Sequence, residues 1–142
     1  MTLNRPITTL FLDVGGVLLT NGWGHTSRQA AAERFDFDLA DLEARHDLNF
    51  TTYELGKLSL ADYLDRVVFH VPREFSRQEF VEFMFARSQA LPGAVDWFLE
   101  IKRRNDLKVI ALSNEGRELN HHRVGSFGLE SLFDAFIELM NQ

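Results

Sequence analysis

Two short, uninterrupted apolar runs constrain this chain most. ITTLFLDV (Ile7 to Val14) and LKVIAL (Leu107 to Leu112) are β-rich, and each ends in polar or turn-forming residues. Pro6 precedes the first and Gly15-Gly16 follows it; Ser113-Asn114 closes the second. Runs of this kind suit strands covered on both faces, as in a parallel sheet. A weaker third strand is expected at AFIEL, Ala135 to Leu139.

Between the first two runs lie about ninety residues that read almost wholly as helix. Helices are expected over Trp23 to Phe35 and Leu39 to Leu55, the latter ending at Glu54-Leu-Gly-Lys57 with Gly56 as its cap. Ser59 caps another helix, with Asp62 three residues on. Ser76 and Glu79 form a capping box, flanked by Phe75 and Phe80 at the positions of a hydrophobic staple. Pro92-Gly93 opens the last helix before the second strand. An insert of this length exceeds a single crossover helix and implies a helical cap over residues 21–90. An α/β core is then built from 1–20 and 91–142.

The totals narrow the class. A length of 142 residues suits one core, and a net charge of −6 with no basic block argues against nucleic acid. The absence of cysteine excludes disulfides and thiolate metal sites. No segment approaches the ~20 apolar residues of a membrane helix, and MTLNRPI lacks the apolar core of a secretory signal. A cytoplasmic protein is expected.

Open parallel sheets bind ligands beyond the carboxyl ends of their strands. Asp13 lies at one such end and Ser113-Asn114 at another. If the strands are neighbours, a carboxylate nucleophile meets a hydroxyl and a carboxamide able to donate to the transferred group. Gly15 and Gly16 allow a sharp turn with N–H groups facing an anion. The alternative reading makes Asp13 and Ser113-Asn114 turn residues. Trp23, His25 and Arg28 follow the first strand closely, and either touch substrate or pack the cap. His121 and His122 diverge on a helix and read as solvated. Gly22-Trp-Gly-His-Thr-Ser27 does not follow a strand directly and is no dinucleotide fingerprint.

DVGGVL after an apolar strand, a helical insert, and VIALSN closing a second strand resemble the first two motifs of the haloacid dehalogenase (HAD) superfamily. YELGKLSLADYL, LPGAVDWFLEIKRR and SFGLESLFDAFI extend the likeness to class I members with a helical cap. The resemblance implies a Rossmannoid core and a Mg²⁺-dependent phosphatase acting on a small phosphorylated metabolite. Asp13 would form an aspartyl-phosphate and ligate Mg²⁺, with the Gly15 backbone carbonyl as a second ligand. Ser113 and Asn114 would hold the phosphoryl oxygens, and Gly16, Trp23, His25 and Arg28 would lie near substrate.

The sequence departs from that family twice. Gly15 stands where most of the phosphatases place an acid/base aspartate, a loss worth ~10²–10⁴-fold. That leaves room for a metal-free 2-haloacid dehalogenase. The family's third-motif lysine and fourth-motif acidic pair have no counterpart before Gln142. The expectation is a C-terminally shortened chain with its last core strands missing, weakly active or inactive. A non-catalytic protein binding a phosphorylated ligand or a partner is the alternative. Without a neighbour, the Ile7–Val14 strand would present an open edge and an uncovered flank, from which a homodimer, a swapped oligomer or poor solubility is expected.

Overall fold

The computed structural model describes residues 5–113 and 116–138. β1 (Thr9–Asp13) leads into α1 (His25–Phe35), α2 (Leu39–Glu54), α3 (Leu60–Val67), α4 (Arg77–Ala86) and α5 (Ala94–Asn105). β2 (Lys108–Ser113), α6 (Arg117–Ser126) and β3 (Ala135–Glu138) follow. The strands form one parallel sheet in the order β1-β2-β3. This is the expected α/β architecture, with the long helical insert after the first strand. Of the expected third strand, Leu139 lies outside the described residues.

Local chemistry sets the helix starts. The Ser59 and Ser76 hydroxyls accept from the Asp62 and Glu79 N–H groups at 3.1 Å, satisfying donors that a first turn leaves free. Phe75 stacks on Phe80 at 6.0 Å between ring centroids, so the staple forms as well. Asp38 caps α2 through Ala40 N–H.

Two apolar clusters result. The first gathers Trp23, Leu42, Tyr63, Leu64, Phe80 and Met84 from the insert, and Leu119 of α6 joins it. The second sits on one face of the sheet, where Leu12, Val14, Val109 and Ala111 meet Leu129, Leu132 and Phe133, with Val95, Phe98 and Leu99 of α5 against them.

The opposite sheet face corrects the expectation of strands covered on both sides. Phe11 is 52% exposed, Leu112 37% and Ile137 42%. Their side chains fall on one face because Phe11 and Ile110 are register partners, as are Leu112 and Ile137. A continuous apolar run shows that both faces could be buried; it does not supply the layer that buries them.

The insert and the sheet are joined by two antiparallel crossings. Thr20 N–H donates to the Gln89 carbonyl at 2.8 Å and Leu91 N–H to the Leu18 carbonyl at 2.9 Å. Fully buried Arg123 reaches from α6 to the Thr20 carbonyl at 2.6 Å. Gly22 lies close beside it, where a Cβ would press on the Arg123 guanidinium and Leu119.

Inside the insert, Trp23 Nε1 donates to the Tyr63 hydroxyl at 2.9 Å, and that hydroxyl lies 2.6 Å from His46 Nδ1. A hydroxyl that accepts from Trp23 still has its own proton to offer His46, an arrangement that suits a neutral ring. Burial depresses the His46 pKa to about 4, with the Arg28 charge adding to the effect. Between about 6.5 and 4 the unfolded chain therefore binds the proton that the folded chain refuses. Stability should be full above pH 6.5 and fall on acidification toward pH 4, by up to about 3 kcal/mol from this residue. Urea unfolding at stepped pH tests this, and His46→Gln should flatten that part of the profile.

Candidate active site

Asp13 is the last residue of β1, and its register partner on β2 is Leu112. Ser113 is one residue further along β2, so its Cα lies about 6 Å from that of Asp13. The two strand ends do meet, as the sequence pattern requires. Their side chains do not leave the sheet together. The Asp13 side chain is exposed and accepts from the Val14 N–H at 2.8 Å. Ser113 is 3% exposed, and its hydroxyl donates to Asn120 Oδ1 of α6 at 3.4 Å. Asn114 lies outside the described residues.

A cavity of about 310 Å³ opens over Asp13, between the strand ends and the helical insert. Gly15, Asn21 and Trp23 line it from the segment after β1, and Phe50, Tyr53 and Glu54 from the end of α2. Gly116 and Leu119 close it from α6. Among the described residues, the lining carries two carboxylates, Asp13 and Glu54, and no lysine or arginine.

The other expected site residues fall around this cavity. Gly16 is exposed at φ +78°, a left-handed conformation that favours glycine, and its N–H donates to the Leu19 carbonyl at 2.7 Å. His25 lines a neighbouring cavity of about 660 Å³ with Thr20, Arg87 and Gln89. Arg28 is buried and fully engaged. Its Nε and one terminal nitrogen grip Glu43 at 2.7 and 3.0 Å, and the other donates to the Trp23 carbonyl at 2.7 Å. That grip holds the Glu43 carboxyl below its ordinary pKa. Arg28 thus positions Trp23 rather than facing the cavity over Asp13. His121 is exposed, whereas His122 is half-buried and stacks on Phe85 at 4.4 Å.

Tyr53 and Gly116 were not expected at the site; Glu54 was read chiefly as a helix end, with a loop touching substrate as the alternative. Tyr53 stacks on Tyr63 at 5.0 Å, and its hydroxyl donates to Glu118 Oε2 at 3.2 Å. Desolvation and the adjacent Glu118 charge push its pKa up, so it stays a neutral donor. Glu118 also accepts from the Leu60 N–H at 3.1 Å, tying α6 to α3. A Cβ on Gly116 would overlap the Tyr53 ring, which explains glycine at this close approach.

No family model matches the sequence, and no curated protein matches it. Solved structures do. A HAD-family enzyme of Bacteroides thetaiotaomicron superposes with a TM-score of 0.73 at 17% identity, over 96% of this chain and 70% of that one. Its complex with magnesium and inorganic phosphate gives 0.69 at 18% identity, over 93% and 68%. The L-2-haloacid dehalogenase of Xanthobacter autotrophicus, with chloropropionic acid covalently bound, gives 0.56 at 16% identity, over 94% and 57%. The chain has the HAD fold. It spans between 57% and 70% of the length of these three neighbours. On the HAD fold, Asp13 occupies the carboxyl end of the first strand, and the inserted helices roof it.

Gly116→Ala should force Tyr53 out of its packing and destabilise the protein by about 1–3 kcal/mol. Paired thermal melts of Gly116→Ala and the exposed Gly125→Ala check this, since a Cβ at Gly125 meets nothing within 4 Å. Equal effects of the two would contradict the close approach.

Proposed function

We propose that this chain is a phosphatase-type hydrolase of the HAD family, acting on a small phosphorylated metabolite. The observation that carries the reading is the exposed Asp13 carboxylate at the end of β1, facing a roofed cavity. An Asp13 oxygen attacks phosphorus, the bond from phosphorus to the ester oxygen breaks, and an aspartyl-phosphate forms. Water then attacks that phosphorus and releases inorganic phosphate and the free carboxylate.

The leaving oxygen needs a proton, and Gly15 has none to give. Glu54 is the second carboxyl group lining the cavity. In its acid form it would protonate the leaving group, and as carboxylate it would take the proton from the incoming water. Its place at the end of α2 lets the insert bring the acid to the nucleophile.

The donor set suits Mg²⁺ in a limited way. Asp13 and the Gly15 backbone offer hard oxygen ligands at one cavity, and among the described residues no cluster of three acidic or histidine side chains exists. Mg²⁺ commonly keeps several waters and shares one or two carboxylates with substrate phosphate. Bound there, it would screen the charge between the phosphate and Asp13. The magnesium and phosphate complex of the Bacteroides neighbour supports this assignment.

One observation favours a second reading. With glycine at position 15, halide displacement from a small 2-haloacid is chemically simpler, because halide leaves with its electron pair and needs no proton. The dehalogenase neighbour supports it.

Initial rates on an aryl phosphate with Mg²⁺, beside halide release in EDTA, separate the two. Aryl phosphate turnover should fall at least about 10²-fold in Asp13→Asn, and Glu54→Gln should slow alkyl esters more than aryl ones. Turnover that survives Asp13→Asn would remove the nucleophile. Phosphate binding without any turnover would instead make the chain a phospholigand-binding protein.

A further inference from the structure

A second cavity adjoins the one over Asp13 and is larger, about 660 Å³ against about 310 Å³. It lies where the two stems of the helical insert run side by side. Thr20 and Asn21 line it from the outgoing stem, Arg87 and Gln89 from the returning one, and Thr26 and Ser27 from the first turn of α1. Asn21 and Gly24 line both cavities, so the two meet along the segment that leads from β1 into α1. The reaction proposed above uses the first compartment and leaves this one without a task.

Its chemistry is that of an anion site. Arg87 contributes a full positive charge, and among the described residues no aspartate or glutamate lines the cavity. The Arg87 guanidinium lies over the Phe83 ring at 5.9 Å, and its Nε is buried without a hydrogen bond. A buried donor of this kind is costly until an acceptor takes it up. α1 also begins here. Its N-cap is Gly24, which has no side chain to cap with, and its first turn contains no acid. The N–H groups of His25, Thr26 and Ser27 therefore present the positive end of the helix dipole. Ser27 is an independent sign. It is 7% exposed, its hydroxyl makes no hydrogen bond with any described residue, and the surface it retains faces this cavity. A buried helical serine can return its proton to a carbonyl one turn back, and this one does not. His25 completes the lining, with Nδ1 3.4 Å from Glu43 Oε1. Glu43 itself is gripped by Arg28 and does not line the cavity.

We propose that this cavity receives a second anionic group, phosphate or carboxylate, at the far end of the substrate whose phosphoryl group lies at Asp13. The Arg87 guanidinium and the first-turn N–H groups of α1 neutralise that group, and the Ser27 hydroxyl donates to it. The substrate class narrows to a small metabolite with two acidic ends, one of them a phosphate ester. This assignment rests on the phosphatase reading of Asp13; the anion-binding character of the cavity does not.

Calorimetric titration of the chain with inorganic phosphate in EDTA reads the cavity without turnover. One site is expected, weakened by added salt. Arg87→Gln and Ser27→Ala should each weaken it several-fold. Gln89 is exposed and bonds Thr20 through its backbone, so its side chain can be changed without disturbing the stems. Gln89→Glu should weaken phosphate binding several-fold, and Gln89→Lys should strengthen it. No binding at millimolar phosphate, or binding that none of these variants alters, would overturn the site. Initial rates with Mg²⁺ then test what the site holds. Bisphosphates of straight-chain diols, beside alkyl monophosphates of matching length, should show a KM several-fold lower at one preferred length. Gln89→Glu should shrink that preference and Gln89→Lys enlarge it. Phosphate binding that follows the variants, with no preference for a bisphosphate of any length, would overturn the substrate assignment. Turnover of neither ester would strike the phosphatase reading and the second substrate group with it, while the titration still decides the anion site.

Discussion

The parallel pairing of β1 with β2 is the constraint on which the rest depends. It joins residues about a hundred positions apart, and its register decides that Asp13 ends opposite Leu112. Shift that register by one residue and the sheet presents its other face, so Leu12 and Ala111 would leave the apolar cluster beneath. The burial of Leu12, Val14, Val109 and Ala111 therefore fixes the position of the carboxylate. The placement of that carboxylate is a by-product of packing on the opposite side of the same strand.

The helical insert acts on this site through few contacts. The bonds of Thr20 with Gln89 and of Leu91 with Leu18 hold the two crossing segments side by side, and Arg123 pins the first segment at Thr20. Glu118 bonds both Tyr53 and the Leu60 N–H, so α6 holds the end of α2 and the start of α3 together. These contacts place Glu54 and Tyr53 over Asp13. They lie within a segment whose apolar cluster is otherwise separate from that of the sheet.

Much of this was legible in the sequence, because the relevant signals are local. The strands stand within a residue or two of where their apolar runs predicted them, and Ser59, Ser76, Phe75 and Phe80 form the caps and staple their spacing implied. Tertiary partners were not legible. Arg28 was left open between touching substrate and packing the cap, and its partner Glu43, fifteen positions on, could not be read from the spacing. Exposure of Leu112 and Ile137 was equally hidden, since apolar character does not reveal whether a covering layer exists. Ser113 was expected beside Asp13 and is adjacent along the backbone, but the alternation of the strand turns its hydroxyl toward Asn120. Glu54 and Gly116 reach the cavity only because α2 and α6 end at the same place in space.

The chemical claim beneath all of this is that Asp13 forms a bond to substrate. Acid-quenched protein, digested and read by mass spectrometry after brief exposure to acetyl phosphate and Mg²⁺, tests it most directly. A phosphoryl adduct on the peptide containing Asp13, discharged by hydroxylamine and missing from Asp13→Asn, is the result expected of an aspartyl-phosphate. An adduct confined to another residue, or hydrolysis of acetyl phosphate that proceeds equally in Asp13→Asn, would contradict it.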